Sequence, residues 1–435
     1  VKAKAELKRV LGLFEITLSG IGIILGAGIY ALIGEAAGLA GNAVWLSFAI
    51  SSLVALLTGL AYAELSSMFP RASAEYEYTA QAFSRFPAFV IGWLIIFSGV
   101  IGAATVSLGF AGYFQALTGA PILPAALVLV ALLAVLIFTG IKQSARFAIA
   151  FTLIEAAGLF FVIVVGIPHL GSVNYLEMPF GLSGVFQASA LIFFAFIGFE
   201  DMVKLSEEAE DPEKNIPRGL ILAISASIIL YILVALCATS VLGWQELSTS
   251  SAPFSDIAHA ALGRNASLAI SVMALFATTN TVLLMLLAAS RIVFGMAESS
   301  SLPLILASVH PRTKTPWAAV VLVTIMCMAF VFLQDISFVA NVNNFTVFLT
   351  FMVINAALIR LRYRRPELAR PFRVPFSWGK LPILPLLGIV VNLFLMLQLS
   401  WSAIALGAGL TILGAAAAHF LDKSSSSSED TAQKV

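Results

Sequence analysis

Apolar residues fill this chain in long, almost unbroken runs separated by short polar connections. The runs lie near 11–33, 43–66, 87–113, 122–140, 146–167, 185–206, 219–243, 266–297, 317–333, 338–360, 381–399 and 401–421. An α-helix rising 1.5 Å per residue needs about 20 apolar residues to cross a hydrocarbon core about 30 Å thick. The runs are apolar all round and often carry Gly and β-branched residues, which lipid-embedded helices tolerate. This pattern predicts an all-α integral membrane protein with twelve transmembrane helices. The first run is too long and too Gly-rich for the h-region of a signal peptide, and no small-residue cleavage site follows it.

Composition agrees with that reading. Of 435 residues, 60% are hydrophobic and 11% charged, whereas a soluble chain carries about 25% charged residues. The net charge of +1 gives no bulk attraction to nucleic acid. Cys237 and Cys327 both sit in apolar runs, which excludes a disulfide scaffold and a Cys-rich metal site. His169, His259, His310 and His419 are scattered and form no ligand pattern, so no metal or cofactor is expected. Twelve spans put both termini on one side, and of the 24 Lys and Arg only Arg264 then falls on the other. The positive-inside rule places both termini in the cytoplasm and the chain in the cytoplasmic membrane. The tail 422–435, with Ser424–Ser428 followed by Glu429 and Asp430, reads as disordered.

Two runs contain interruptions. In the first, Gly20, Gly22, Gly26 and Gly28 fall within nine residues, and each weakens a helix by about 1 kcal/mol relative to Ala. Gly20 and Gly22 suit close helix packing as well as function. Gly26 and Gly28 flank Ala27, and both can leave helical dihedrals, so local unwinding is expected there. In the sixth run Gly198 precedes Glu200, a charge inside an apolar segment. Main-chain groups freed at membrane depth must line a cavity or a ligand site. The first and sixth helices are five apart, so a second five-helix unit would run inverted to the first. The expected organisation is an N-terminus over 1–10, a first inverted repeat over 11–167, a second over 185–360, two further helices over 381–421, and the tail. Broken helices at matching positions of inverted repeats point to the central site of a secondary transporter. Amides at a half-helix start hold an anion, and exposed carbonyls hold a cation or an ammonium group. A zwitterion such as an amino acid is one natural ligand for that pairing.

At these residues the chain resembles the amino acid–polyamine–organocation (APC) superfamily, whose members share the LeuT-like 5+5 inverted-repeat fold with broken helices 1 and 6. The stretch ending Gly26, Ala27, Gly28, Ile29, Tyr30 looks like the family's first-helix break. Tyr62, Ala63, Glu64, Leu65 and then Pro70 resemble the end of its second helix. Phe194 to Glu200, then Glu207, Glu208, Asp211, Pro212, Pro217, Arg218 and Gly219, resemble its sixth helix and the loop after it. The basic stretch Arg364–Pro375 is similar to the loop after the tenth helix, most of all in the cationic-amino-acid-transporter branch and its prokaryotic relatives. The resemblance implies that the backbone of Gly26, Ala27 and Gly28 binds the substrate carboxylate. It implies that the carbonyls of Ile23 and Phe194 receive the ammonium group, with Phe194 and Ile197 side chains lining the pocket. Two departures stand out. The family's Gly-Gly-x-Tyr turn is Ala72, Ser73, Ala74, Glu75, Tyr76 here, and the lysine that proton-coupled relatives carry in helix five is Glu155.

Glu155 lies nine residues past Arg146, roughly 14 Å into the membrane. A charge at that depth costs about 2.5–3.5 kcal/mol even on the lenient insertion scale. A carboxyl held there is either structural, hydrogen-bonded to another helix, or functional, a proton carrier or cation ligand. The eighth run carries Thr278, Thr279, Asn280 and Thr281. Their hydroxyls either bond back to their own helix or, as Thr278 and Thr281 on one face, supply oxygens to a hard cation. Glu200 suits a gate on the cytoplasmic side or a solvated helix end. Asn341, Asn343, Asn344 and Thr346 suit an extracellular gate or interhelical hydrogen bonds. No His lies mid-span to serve an intramembrane enzyme, and no ATP-binding loop is present. The expected function is secondary active transport of amino acids by alternating access, proton-coupled by analogy. Sodium symport or exchange is the alternative on the same fold, and a membrane amino-acid sensor is the alternative of another class. The implied partners are the amino acid, the proton or sodium, and the lipid bilayer, with no obligatory partner subunit.

Overall fold

The computed structural model describes residues 9–70, 74–139, 145–299 and 301–432, with side chains described except at 145–152 and 420–432. Expectations resting on residues 1–8, on Ala72 and Ser73, on Gly140 and Lys142, and on 433–435 lie outside the described residues. The helices in chain order are α1 (Leu13–Ile24), α2 (Gly28–Ala40), α3 (Val44–Met68), α4 (Ala74–Ala82), α5 (Arg85–Thr118), α6 (Ile122–Phe138) and α7 (Ala145–Gly166). They continue as α8 (Gly181–Ile192), α9 (Pro212–Thr249), α10 (Pro253–Leu262), α11 (Arg264–Glu298), α12 (Trp317–Val331), α13 (Ile336–Arg364), α14 (Ile383–Met396) and α15 (Trp401–Ala432).

Each apolar run holds a helix or a pair of half-helices. Among the described residues, seven helical stretches are long and apolar enough to cross a membrane: 28–68, 85–118, 181–207, 212–249, 264–298, 336–364 and 401–419. The other apolar helices, such as α1, α6, α12 and α14, are shorter. Stretch 28–68 turns at Gly41, whose φ of 70° divides α2 from α3. The run expected to end at 243 bends there, at Gly243 with φ 72°, and helical residues continue to Thr249. Apolar run length is blind to α4 and α10, which are short and of mixed polarity, and to a small antiparallel hairpin pairing Ser377–Trp378 with Leu381–Pro382. α15 also continues through the serine-rich segment, where composition predicts no fixed structure.

Small residues let the helices close on one another. A Cβ on Gly109 of α5 would stand 2.7 Å from Cβ of Ala31 on α2. A Cβ on Gly219 of α9 would stand 2.6 Å from the Ile16 side chain of α1. This is the packing that substitutes for a hydrophobic driving force inside lipid.

The end of α3 carries the strongest polar tie. Glu64 is fully buried and receives Arg362 of α13 through both oxygens, from Nε at 2.9 Å and from Nη2. Val374 N–H donates to the same carboxylate at 2.7 Å, and Arg370 Nε stands 3.3 Å from it. Arg362 also donates to the Val374 carbonyl (3.1 Å) and to Ser377 Oγ (2.5 Å). The basic loop after α13 therefore folds back onto α3, and two of the stretches that carry the family resemblance meet at one buried carboxylate.

Removing one partner of a buried pair strands the other charge, which costs about 3–5 kcal/mol, whereas replacing both by apolar residues is often neutral. Glu64→Ala should therefore lower the melting temperature in detergent sharply. The double variant Glu64→Leu/Arg362→Met should recover most of that loss, as read by tryptophan fluorescence or size-exclusion after heating.

Candidate functional site

The first break is short. α1 ends at Ile24, Leu25 N–H closes the last turn on the Ile21 carbonyl (2.8 Å), and α2 starts at Gly28 with Ala27 as its N-cap residue. The amides at the start of α2 and the carbonyls at the end of α1 thus face one another without full intrahelical partners. Gly26 lies in the break itself, between the end of α1 and the N-cap of α2, whereas Gly28 is the first residue of α2, and neither has a positive φ. What position 28 requires is close approach: a Cβ there would sit 2.8 Å from Cα of Ala195 in the sixth run and 3.2 Å from the Phe194 ring. At Gly26 a Cβ would meet Thr281 Oγ1 at 3.6 Å and the Ile23 carbonyl oxygen at 3.7 Å, both ordinary contacts. Gly20 is a packing residue, with Met202 and Ala223 against it.

The second break does use glycine dihedrals. α8 tightens into a 3₁₀ turn over 193–196, Ile197 is extended, and Gly198 takes φ 121° before a second 3₁₀ segment over 199–207. The backbone changes direction at the one residue type that adopts this φ freely. Glu200, inside that segment, accepts from Gly198 N–H at 2.9 Å, which fixes the turn leading into it. The Phe194 carbonyl accepts from Ile197 N–H at 3.3 Å. A Cβ at Gly198 would lie 3.1 Å from the Ile23 carbonyl oxygen. The predicted residues Ile23, Gly28, Phe194 and the Ile197–Gly198 turn are therefore brought together, break against break.

Tyr231, which the sequence does not single out, and Asn344, which it does, hold them there. Tyr231 of α9 is fully buried, and its hydroxyl lies 2.6 Å from the Ile24 carbonyl and 2.9 Å from the Ala195 carbonyl, one proton bridging both breaks. Its ring stacks edge-on to Phe196 at 5.1 Å. Asn344 of α13 donates to the Ala190 and Leu191 carbonyls at 2.7 and 2.9 Å, where α8 gives way to the 3₁₀ turn. A tyrosine in an apolar run carries no sequence signal that separates it from core; the polar cluster around Asn344 did.

Glu155 of α7 is 2% exposed, and Thr281 of α11 bonds to it: the hydroxyl donates to Oε1 at 3.3 Å, with its own Ala277 carbonyl a second acceptor at 3.1 Å. The same hydroxyl accepts from Ala27 N–H at 3.3 Å. Glu155 is thus one hydroxyl away from the first break. Tyr30 of α2 donates to the Glu155 carbonyl at 2.6 Å, and Gly158 leaves room for that phenol. Thr278 stands apart from this group: its hydroxyl bonds back to the Ala274 carbonyl at 2.7 Å on its own helix. Glu200 lines a cavity with Tyr62, Glu75, Asp201 and Lys204, walled on its other side by Ser98, Val347 and Thr350. In it Lys204 pairs with Asp201, and Tyr62 donates to Glu75 at 3.4 Å. Among the described residues no three His, Cys, Asp or Glu gather to hold a metal.

The family profile described as "Amino acid permease" matches residues 11–413. The branched-chain amino acid permease BcaP of Bacillus subtilis (strain 168) is 33% identical over 422 residues, covering 92% of this chain and 90% of that protein. The methylthioribose transporter of the same organism is 34% identical, covering 91% and 89%. Cationic amino acid transporter 4 of Homo sapiens is 27% identical, covering 83% of this chain and 61% of its own length. These names describe permeases and transporters, not enzymes.

Two outcomes test the packing of the breaks. Gly28→Ala should overpack the contact with Ala195 and cost about 1–3 kcal/mol, whereas Gly26→Ala should leave the melting temperature close to that of the wild type. Tyr231→Phe strands two buried carbonyls, a loss of about 1–3 kcal/mol. In a thermal melt it should resemble Gly28→Ala rather than a surface variant.

Proposed function

Since this chain belongs to the amino acid permease family, and is with it a multi-pass membrane protein, we propose that it is a proton-coupled amino acid transporter working by alternating access. The reading takes the helices as twelve spans in a 5+5 inverted repeat, with α1 and α2 as the halves of the first span and α8 and 199–207 as the halves of the sixth. Both termini face the cytoplasm, the side to which the positive-inside rule assigns the Lys and Arg other than Arg264.

The amides of Gly26, Ala27 and Gly28 receive the substrate carboxylate at the positive start of α2. The Ile23 carbonyl, beside the Phe194 carbonyl, receives the ammonium group, and Phe194 and Ile197 form the apolar wall. Substrate binding draws the two breaks together. The bundle of the first, second, sixth and seventh spans then rocks against the rest. Glu200 ties Gly198 to the cavity on the far side of the break, so release there passes a carboxylate that also fixes the break's geometry.

The observation that carries the coupling is the Glu155–Thr281–Ala27 connection. When Glu155 is ionised it accepts the Thr281 proton, and the hydroxyl oxygen turns to the Ala27 N–H. When Glu155 is protonated, its own O–H donates to Thr281 Oγ1, and the Thr281 proton turns to the Ala277 carbonyl. A proton on Glu155 therefore reverses the direction of the bond to the hydroxyl that serves a main-chain amide in the substrate site. Thr281 and Glu155 oxygens would serve sodium by the same placement, with Thr278 as a further oxygen after a rotamer change. The sensor alternative has no support in the relatives' names, which are those of transporters and permeases.

The test is uptake of labelled amino acids into proteoliposomes with pH and sodium gradients imposed separately. A pH gradient with the outside acidic should drive accumulation in the wild type. Glu155→Gln should abolish that drive while retaining counterflow exchange of labelled for unlabelled substrate. Accumulation driven by sodium alone would replace the proton with sodium. An undiminished pH response in Glu155→Gln would remove Glu155 from coupling.

A further inference from the structure

Asn343 of α13 is fully buried, and neither its amide nitrogen nor its oxygen has a hydrogen-bond partner among the described residues. Its neighbour Asn344 uses its nitrogen on the carbonyls of α8, so the two adjacent amides face different surroundings. The Asn343 nitrogen is 3.9 Å from the point where a Cβ of Gly102 would stand, and Met285 Sδ is 3.1 Å from that same point. The amide therefore sits where α5, α11 and α13 meet, opposite a residue with no side chain.

Its depth follows from helix geometry. Met285 is one turn along α11 from Thr281, whose hydroxyl holds Ala27 of the first break. In the other direction, Ser98 is one turn from Gly102 on α5, Val347 is one turn from Asn343 on α13, and both line the cavity that contains Glu200 and Lys204. At about 5.4 Å per turn, the amide lies roughly one turn from the level of the first break and one turn from the cavity.

A carboxamide offers two donors and an acceptor. Leaving all of them unpaired inside an apolar bundle is costly, and the bilayer offers nothing to relieve it. A leucine would fill the same volume without that cost. Such a group is retained where a partner arrives.

We propose that Asn343 is the specificity-determining residue for the side chain of the transported amino acid, and that the preferred substrates carry a side-chain carboxamide. This rests on the amino acid transport reading and deepens it. With its carboxylate and ammonium at the breaks, a substrate of glutamine's length extends one turn toward Gly102, where the flexible Met285 side chain has to turn aside to admit it. There its amide pairs with that of Asn343, donor to acceptor at both ends; asparagine follows with a shorter reach. An aliphatic side chain of the same size leaves the amide unpaired, and sites built on a buried hydrogen-bonding group reject such analogues strongly.

The experiment measures KM and kcat for labelled glutamine and leucine in proteoliposomes for wild type, Asn343→Leu and Asn343→Ser. In the wild type the KM for glutamine should lie at least tenfold below that for leucine. In Asn343→Leu the ratio of the two KM values should shift at least tenfold toward leucine, while the ratio of the kcat values moves less than twofold. Asn343→Ser, which keeps a donor and an acceptor, should fall between. A general packing role would instead shift both substrates alike, and that result overturns the proposal. Uptake of leucine or valine with glutamine excluded overturns it too, while leaving the transport reading intact. Uptake of no amino acid removes the transport reading and the proposal with it. A readout independent of any variant is the melting temperature of the wild type in detergent. Glutamine should raise it more than leucine at equal concentration, and the reverse order refutes the assignment.

Discussion

A peptide group released from a helix in the middle of a bilayer has no water to turn to, so the protein itself must supply its partner. That single requirement organises the centre of this molecule. The end of α1 and the 3₁₀ turn after α8 each expose carbonyls, and one phenol, Tyr231, bridges them. Asn344 takes two more carbonyls of the second break and Thr281 takes an amide of the first. Gly28 and Gly198 lack side chains where the two chains press on each other. In the transport reading proposed above, the groups left over after this exchange, the first amides of α2 and the carbonyl of Ile23, are the ones that take a small solute with opposite charges.

The two buried carboxylates at Glu64 and Glu155 show how partners decide role. Glu64 is held by the Arg362 guanidinium and the Val374 amide, with Arg370 alongside. Loss of either Glu64 or Arg362 leaves a buried charge without its partner, and so the pair anchors. Glu155 has a single hydroxyl on its side chain, and among the described residues no ion pair. A hydroxyl serves as donor or acceptor, so that bond survives whichever protonation state the carboxyl adopts. Burial is common to both residues and says little by itself.

Much of this was legible in the residues alone, and what was not has physical reasons. Apolar run length located the helices because crossing lipid is a constraint on composition. Gly198 and the Gly26–Gly28 segment marked the breaks because glycine is costly in a helix unless something requires it. The requirement at Gly28 was read as a dihedral and is in fact a contact with Ala195, a distinction that depends on a partner 167 positions away in the chain. Thr281 and Thr278 looked equivalent by spacing, yet α11 turns one toward Glu155 and the other onto its own backbone. Tyr231 was invisible because a buried tyrosine is unremarkable until its hydroxyl is seen between two carbonyls. α4 and α10 carry no membrane-length signal, and they follow from connections that the run pattern leaves blank.

The Glu64 tie has a mechanical meaning as well. It fastens α3, which packs along α9, to α13 and the loop beyond it, two parts that the rocking motion proposed above would displace relative to each other. A desolvated guanidinium–carboxylate contact is short-ranged and tolerates pivoting far better than separation. If α3 and α13 move against one another, as the transport reading proposed above requires, the motion has either to keep this point nearly still or to pull a buried charge from its partner.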